Sequence, residues 1–93
     1  MRYIISRFDL DMIGFNNHII STEKVGKEAV ANSHFISHVN AEEAEMLSSV
    51  LGREINASSE RPSFEEGDVV YVARIRRVVG AFSVDFLKLK VLA

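Results

Sequence analysis

Two long runs rich in Val, Ile, Leu and aromatic residues, Asp68 to Val79 and Phe82 to Leu92, are separated only by Gly80-Ala81. Runs of that composition around a two-residue turn read as a β-hairpin, and a hairpin this long needs apolar cover. In the first run Val69, Tyr71, Ala73 and Ile75 share one face, while Val70, Val72, Arg74 and Arg76 share the other. In the second run Phe82, Val84 and Phe86 keep one parity before Leu87, Leu89 and Val91 take the other. That switch predicts a bulge near Phe86 or a sheet buried on both faces.

The rest of the chain supplies cover for such a hairpin. Residues 2–6 read as a first strand, and His18 to Thr22 as a second after a polar turn at Gly14 to Asn17. Ser21 or Thr22 is placed to cap a helix reaching about Ala31, although Gly26 weakens it by roughly 1 kcal/mol against alanine. Phe35 to Val39 is a short apolar segment leading into the best-marked helix. Asn40 stands three residues before Glu43, a capping box in its Asn form, and Gly52 supplies the stop. Ala44, Leu47 and Leu51 give that helix its apolar stripe. Residues 53–67 are polar and hold the only proline, Pro62, so they read as a loop. The sum is an α+β domain: a small mixed sheet of four or five strands with two flanking helices.

A chain of 93 residues holds one core and one domain. It buries only about two-thirds of its unfolded surface, so a second subunit would widen its margin of stability. The absence of cysteine excludes disulfides, thiolate metal sites and cysteine nucleophiles, and points to the cytoplasm. No run reads as a signal peptide or a membrane span. A net charge of −2 argues against binding to double-stranded nucleic acid. Its distribution is uneven: residues 41–68 hold eight acids against two arginines, and residues 74–90 hold five bases against Asp85.

No phosphate loop, nucleophile elbow or zinc-protease signature appears. His34 and His38 share a face, but no third ligand accompanies them, so no metal and no cofactor is expected. Arg74, Arg76 and Arg77, opposite Lys88 and Lys90, read either as a solvated face or as an anion site. The N-terminus of the helix at Asn40 adds backbone donors to the second reading.

Several stretches resemble a family of small archaeal-virus and bacterial proteins that includes the viral anti-CRISPR ring nucleases of type III systems. Tyr3 to Ile13 is similar to the family's opening strand and its phrase N-A-F-S-I-N-M-L. The segment Phe35 to Gly52 resembles its central motif, roughly F-I-S-A-I-G-H-x-x-T-A-x-x-L-S-x-L-L-G. Glu66-Gly67-Asp68 and the closing run Phe82 to Leu92 also look like family features. The resemblance implies a homodimer in the host cytoplasm that takes up a cyclic oligonucleotide, cyclic tetra-adenylate. Active members cut this alarm signal without a metal, using a histidine as the acid. Here the family's Gly-His pair falls on Val39 and Asn40, and an amide donates a hydrogen bond but no proton near neutral pH. The reading implied is a sponge, with Asn40, Arg61, Arg74, Arg76 and Arg77 as ligand-binding residues. Two alternatives stand beside it. One is an active ring nuclease with His38 as the catalytic residue, and the other is a protein-interaction module without a nucleotide.

Overall fold

The computed structural model describes residues 1–8, 12, 19–60 and 62–92. Seven elements follow in order: β1 (Arg2–Ile5), β2 (Ile20–Val25), α1 (Lys27–Ala31), β3 (Ile36–His38), α2 (Ala41–Leu51), β4 (Val69–Val78) and β5 (Ala81–Val91). The strands form one sheet in the order β2-β5-β4-β1-β3. β1 runs parallel to both β3 and β4, whereas β4 with β5 and β5 with β2 are antiparallel. The expected α+β domain with a mixed sheet and two helices is what the chain adopts, with five strands.

The hairpin register is unbroken from Val69↔Lys90 to Val78↔Ala81, so no bulge accounts for the parity switch in β5. Both faces are buried instead. On one face Ile4, Tyr71, Ala73 and Phe86 pack against Val30 of α1 and Ala44, Leu47 and Leu51 of α2. On the other, Ile5, Val70, Val72, Leu89 and Val91 pack under Phe64, with Tyr3, Phe8, Met12 and Ile20 around them. Phe64 reaches this face from the stretch before β4. Beyond the Ile75–Val84 pair, whose Val84 still packs on the helix-side core, the hairpin continues as an arm with Val78, Val79 and Phe82 exposed near its turn.

α2 forms where the capping box predicts. Asn40 Oδ1 accepts from the Glu43 N–H at 2.8 Å, and Glu43 Oε1 accepts from the Asn40 N–H at 3.1 Å. Gly52 ends the helix in the left-handed conformation at φ 66°, where it alone avoids a steric cost. Replacing Asn40 by Ala removes the acceptor for the Glu43 N–H. The expected loss is about 0.5–2 kcal/mol, read as a lower midpoint in urea with an unchanged slope.

The first helix differs from expectation. Residues 21–25 do not open a helix; they continue β2 along β5, with Thr22 opposite Leu89 and Glu23 opposite Lys88. Cross-strand pairing and the β-branched Thr22 and Val25 override a weak helical pattern broken by Gly26. α1 therefore begins only at Lys27, with Gly26 as an N-cap that has no side-chain bond to offer. Arg53 secures its far end, donating through Nη1 to the carbonyls of Ser33 and Ala31 while its guanidinium lies 4.6 Å from the Phe35 ring centroid. Of the expected second strand, His18 lies outside the described residues, as does the turn at Gly14 to Asn17.

Candidate functional site

β1 is flanked by two parallel neighbours, β3 on one side and β4 on the other. In open sheets, ligands favour the crevice beyond the carboxyl end of such a strand, where the connections diverge to opposite sides. A cleft of about 320 Å³ lies at this place, lined by Ile5, Ser6, Arg7, Met12, His38, Asn40, Glu43 and Pro62. Ser6 and Arg7 follow directly on β1. His38 closes β3, and Asn40 and Glu43 are the capping box of α2.

His38 is positioned from two sides. It pairs in register with Ile5, and its ring lies 5.8 Å from that of Tyr3. Tyr3 in turn leans on Phe64 at 5.1 Å. Burial, with the carboxylates of Asp68 and Glu65, pushes the Tyr3 hydroxyl above its ordinary pKa, so it stays protonated through the neutral range. Asp68 is itself held in place. It accepts from the Glu65 N–H at 2.8 Å and sits 3.3 Å from the Met1 amino group. One atom of the cleft-lining residues stands out: His38 Nδ1 is buried with no hydrogen-bond partner among the described residues. Such groups are uncommon, because an unmet buried polar atom costs about 1–3 kcal/mol.

Asn40 contributes less to a ligand than its position suggests. Its Oδ1 and backbone N–H are both taken by Glu43, so its amide N–H₂ and the first-turn N–H groups of Ala41 and Glu42 are the donors outside the box. Glu43 brings a carboxylate to the cleft wall, which opposes an anion. Its contact with the Asn40 N–H and the positive end of the helix dipole offset that charge in part.

The arginines expected to act together are divided. Arg74 and Arg76 share the sheet face of Val70 and Val72, the face on which Ile5 lies, but neither lines the cleft. Arg74 is 3.9 Å from Asp85 across the hairpin. Arg77 points to the opposite face, where its guanidinium meets Glu42 of α2 at 2.6 Å. Arg61 lies outside the described residues. The structure thus brings His38 and Asn40 together and adds Ser6, Arg7 and Glu43, which the sequence reading did not single out. No local signal marks them: Ser6 and Arg7 line a crevice only because β1 lies between β3 and β4, which the sequence does not show locally. No group of three metal-ligating side chains occurs among the described residues, and no described helix is long and apolar enough to cross a membrane.

This geometry defines a class: small α+β domains with a five-stranded mixed sheet, a protruding hairpin and a polar cleft at the carboxyl end of the first strand. The particular likeness is to B116 of Sulfolobus turreted icosahedral virus (STIV), with a TM-score of 0.77 over 96% of this chain and 97% of that one. Sequence identity is 12%, so the likeness is one of fold. No protein-family model matches the chain, and no curated protein does.

Proposed function

We propose that the chain binds a cyclic oligonucleotide second messenger of the oligoadenylate type and sequesters it, counteracting antiviral signalling as a sponge. The observation that carries this reading is the cleft that Arg7, His38 and Asn40 line together at the carboxyl end of β1. A guanidinium suits phosphate oxygens, and the Asn40 amide N–H₂ is a further donor beside it. The family resemblance in Phe35 to Gly52 points to the same class of ligand, and the likeness to the Sulfolobus virus protein is one of fold.

Binding is proposed without efficient cleavage because Asn40 occupies the position of the resemblance's acid. The alternative, a metal-independent ring nuclease, makes His38 the acid; it shares the cleft and differs only in proton transfer. Labelled cyclic tetra-adenylate, followed on a binding gel and a product assay, separates the two. A shifted band with intact ligand is the expected result. Product that disappears in His38→Ala would establish the nuclease instead, and absence of any shift would overturn both. The exposed Val78, Val79 and Phe82 favour a protein contact at the arm, where a second copy completing a homodimer is the occupant we propose.

A further inference from the structure

The end of the sheet opposite the cleft carries a second concavity. A groove of about 340 Å³ opens at the amino ends of β1 and β3, lined by Met1, Arg2, His34, Phe35 and Ile36. Two of its apolar members stand open, Met1 69% and Ile36 42% exposed. β3 is the edge strand on this side, and its cover is partial. The Ser58 N–H donates to the Val39 carbonyl at 2.9 Å and the Ser37 hydroxyl donates to the Asn56 carbonyl, so residues 56–58 shield the carboxyl half of the strand. Among the described residues no comparable bond reaches Phe35 or Ile36. The charge around the groove is of one sign. Arg2 is on its wall, and the Arg53 guanidinium lies against the Phe35 ring. Arg2, Val69 and Lys90 form one row across β1, β4 and β5 on one face, which sets the Arg2 and Lys90 backbones about 10 Å apart. No described carboxylate comes within ion-pair distance of Arg2, Arg53 or Lys90. Asp68 is buried and directed at the Met1 amino group, 3.3 Å away.

We infer that this groove docks a partner protein through an acidic segment that carries a large apolar side chain. Carboxylates on such a segment meet Arg2 and Lys90, and the apolar side chain between them enters against Phe35 and Ile36. An apolar centre within a charged rim is the usual anatomy of a protein interface, and the sign of the rim selects the partner. The groove is concave and largely apolar, which fits an inserted side chain better than a run of phosphates or a flat bilayer surface. The inference is independent of the cleft, which lies at the other end of β1.

The test titrates the whole chain into three fluorescein-labelled peptides: Asp-Glu-Leu-Phe-Glu-Asp, Asp-Glu-Ser-Ser-Glu-Asp and Lys-Lys-Leu-Phe-Lys-Lys. Fluorescence anisotropy should rank the first about tenfold tighter than either of the others. Amide NMR shifts during its titration should cluster at Arg2, His34 and Ile36. Arg2→Glu and Ile36→Ser should each weaken it about tenfold, whereas Lys24→Glu, the same charge reversal on the other face of the sheet, should not. All three positions are exposed, so unchanged melting curves separate lost binding from lost folding. Equal binding of the serine peptide would show charge without a pocket, and equal binding of the lysine peptide would show an apolar patch without charge selection; either overturns the inference. Failure of all three peptides to bind overturns it as well. So does displacement of the peptide by cyclic tetra-adenylate, which would place it in the cleft. Pelleting with phosphatidylglycerol vesicles that Arg2→Glu and Ile36→Ser abolish would overturn it in favour of a lipid surface.

Discussion

Phe64→Ala is expected to lower the stability of the domain by about 3–5 kcal/mol. Native domains carry roughly 0.05–0.15 kcal/mol per residue, which gives this chain about 5–14 kcal/mol in all. The substitution therefore removes a large share of the margin and should lower the thermal midpoint by about 12–40 °C. The reason lies in what Phe64 covers. It is 2% exposed, packs on the Tyr3 ring and closes the face of the sheet opposite α1 and α2. Its backbone N–H donates to the Met12 carbonyl at 2.7 Å, tying the stretch before β4 to Met12. Truncation opens a cavity over Ile5, Val70 and Leu89 that surrounding loops fill poorly. Ile19→Ala is the control, since Ile19 is 63% exposed and should cost under about 1 kcal/mol. Circular dichroism melts of the two variants check this, and equal shifts would show that Phe64 is not the cover.

Phe64 also shows where the sequence stops being informative. The hairpin, α2, the Asn40 capping box and the Gly52 stop were legible because each depends on neighbours within a few positions. The second cover was not, because Phe64 is a single apolar residue in a polar stretch, and burial of one residue leaves no periodic trace. β2 was misplaced for a related reason: residues 21–25 are locally ambivalent, and only β5 across the sheet decides for a strand. The site follows the same rule. His38 and Asn40 were found through local motif and spacing. Arg7 was missed because its value depends on β1 lying between β3 and β4, an order that no local pattern encodes. Arg77 was grouped with Arg74 and Arg76 by proximity in sequence, yet strand alternation and Glu42 put it on the other face.

Arg7→Ala is expected to weaken binding of cyclic tetra-adenylate by about 10–150-fold at low salt. That range corresponds to the loss of a charge-assisted hydrogen bond of about 1.5–3 kcal/mol. Among the described residues Arg7 is the arginine that lines the cleft, and its planar fork can engage two phosphate oxygens at once. Arg7→Lys should fall between wild type and alanine, because an ammonium keeps the charge and loses the paired geometry. The folded state should be little changed, since Arg7 is exposed and follows the end of β1, so the melting curve separates a binding defect from a folding one. Raising the salt concentration should shrink the difference between wild type and Arg7→Ala, as screening removes the part that charge alone supplies. A variant that binds as wild type would move the anion away from β1 toward the first-turn N–H groups of α2. In that event Ala41 and Glu42, not the arginine, would be the donors, and substitution of the capping box would become the more sensitive test.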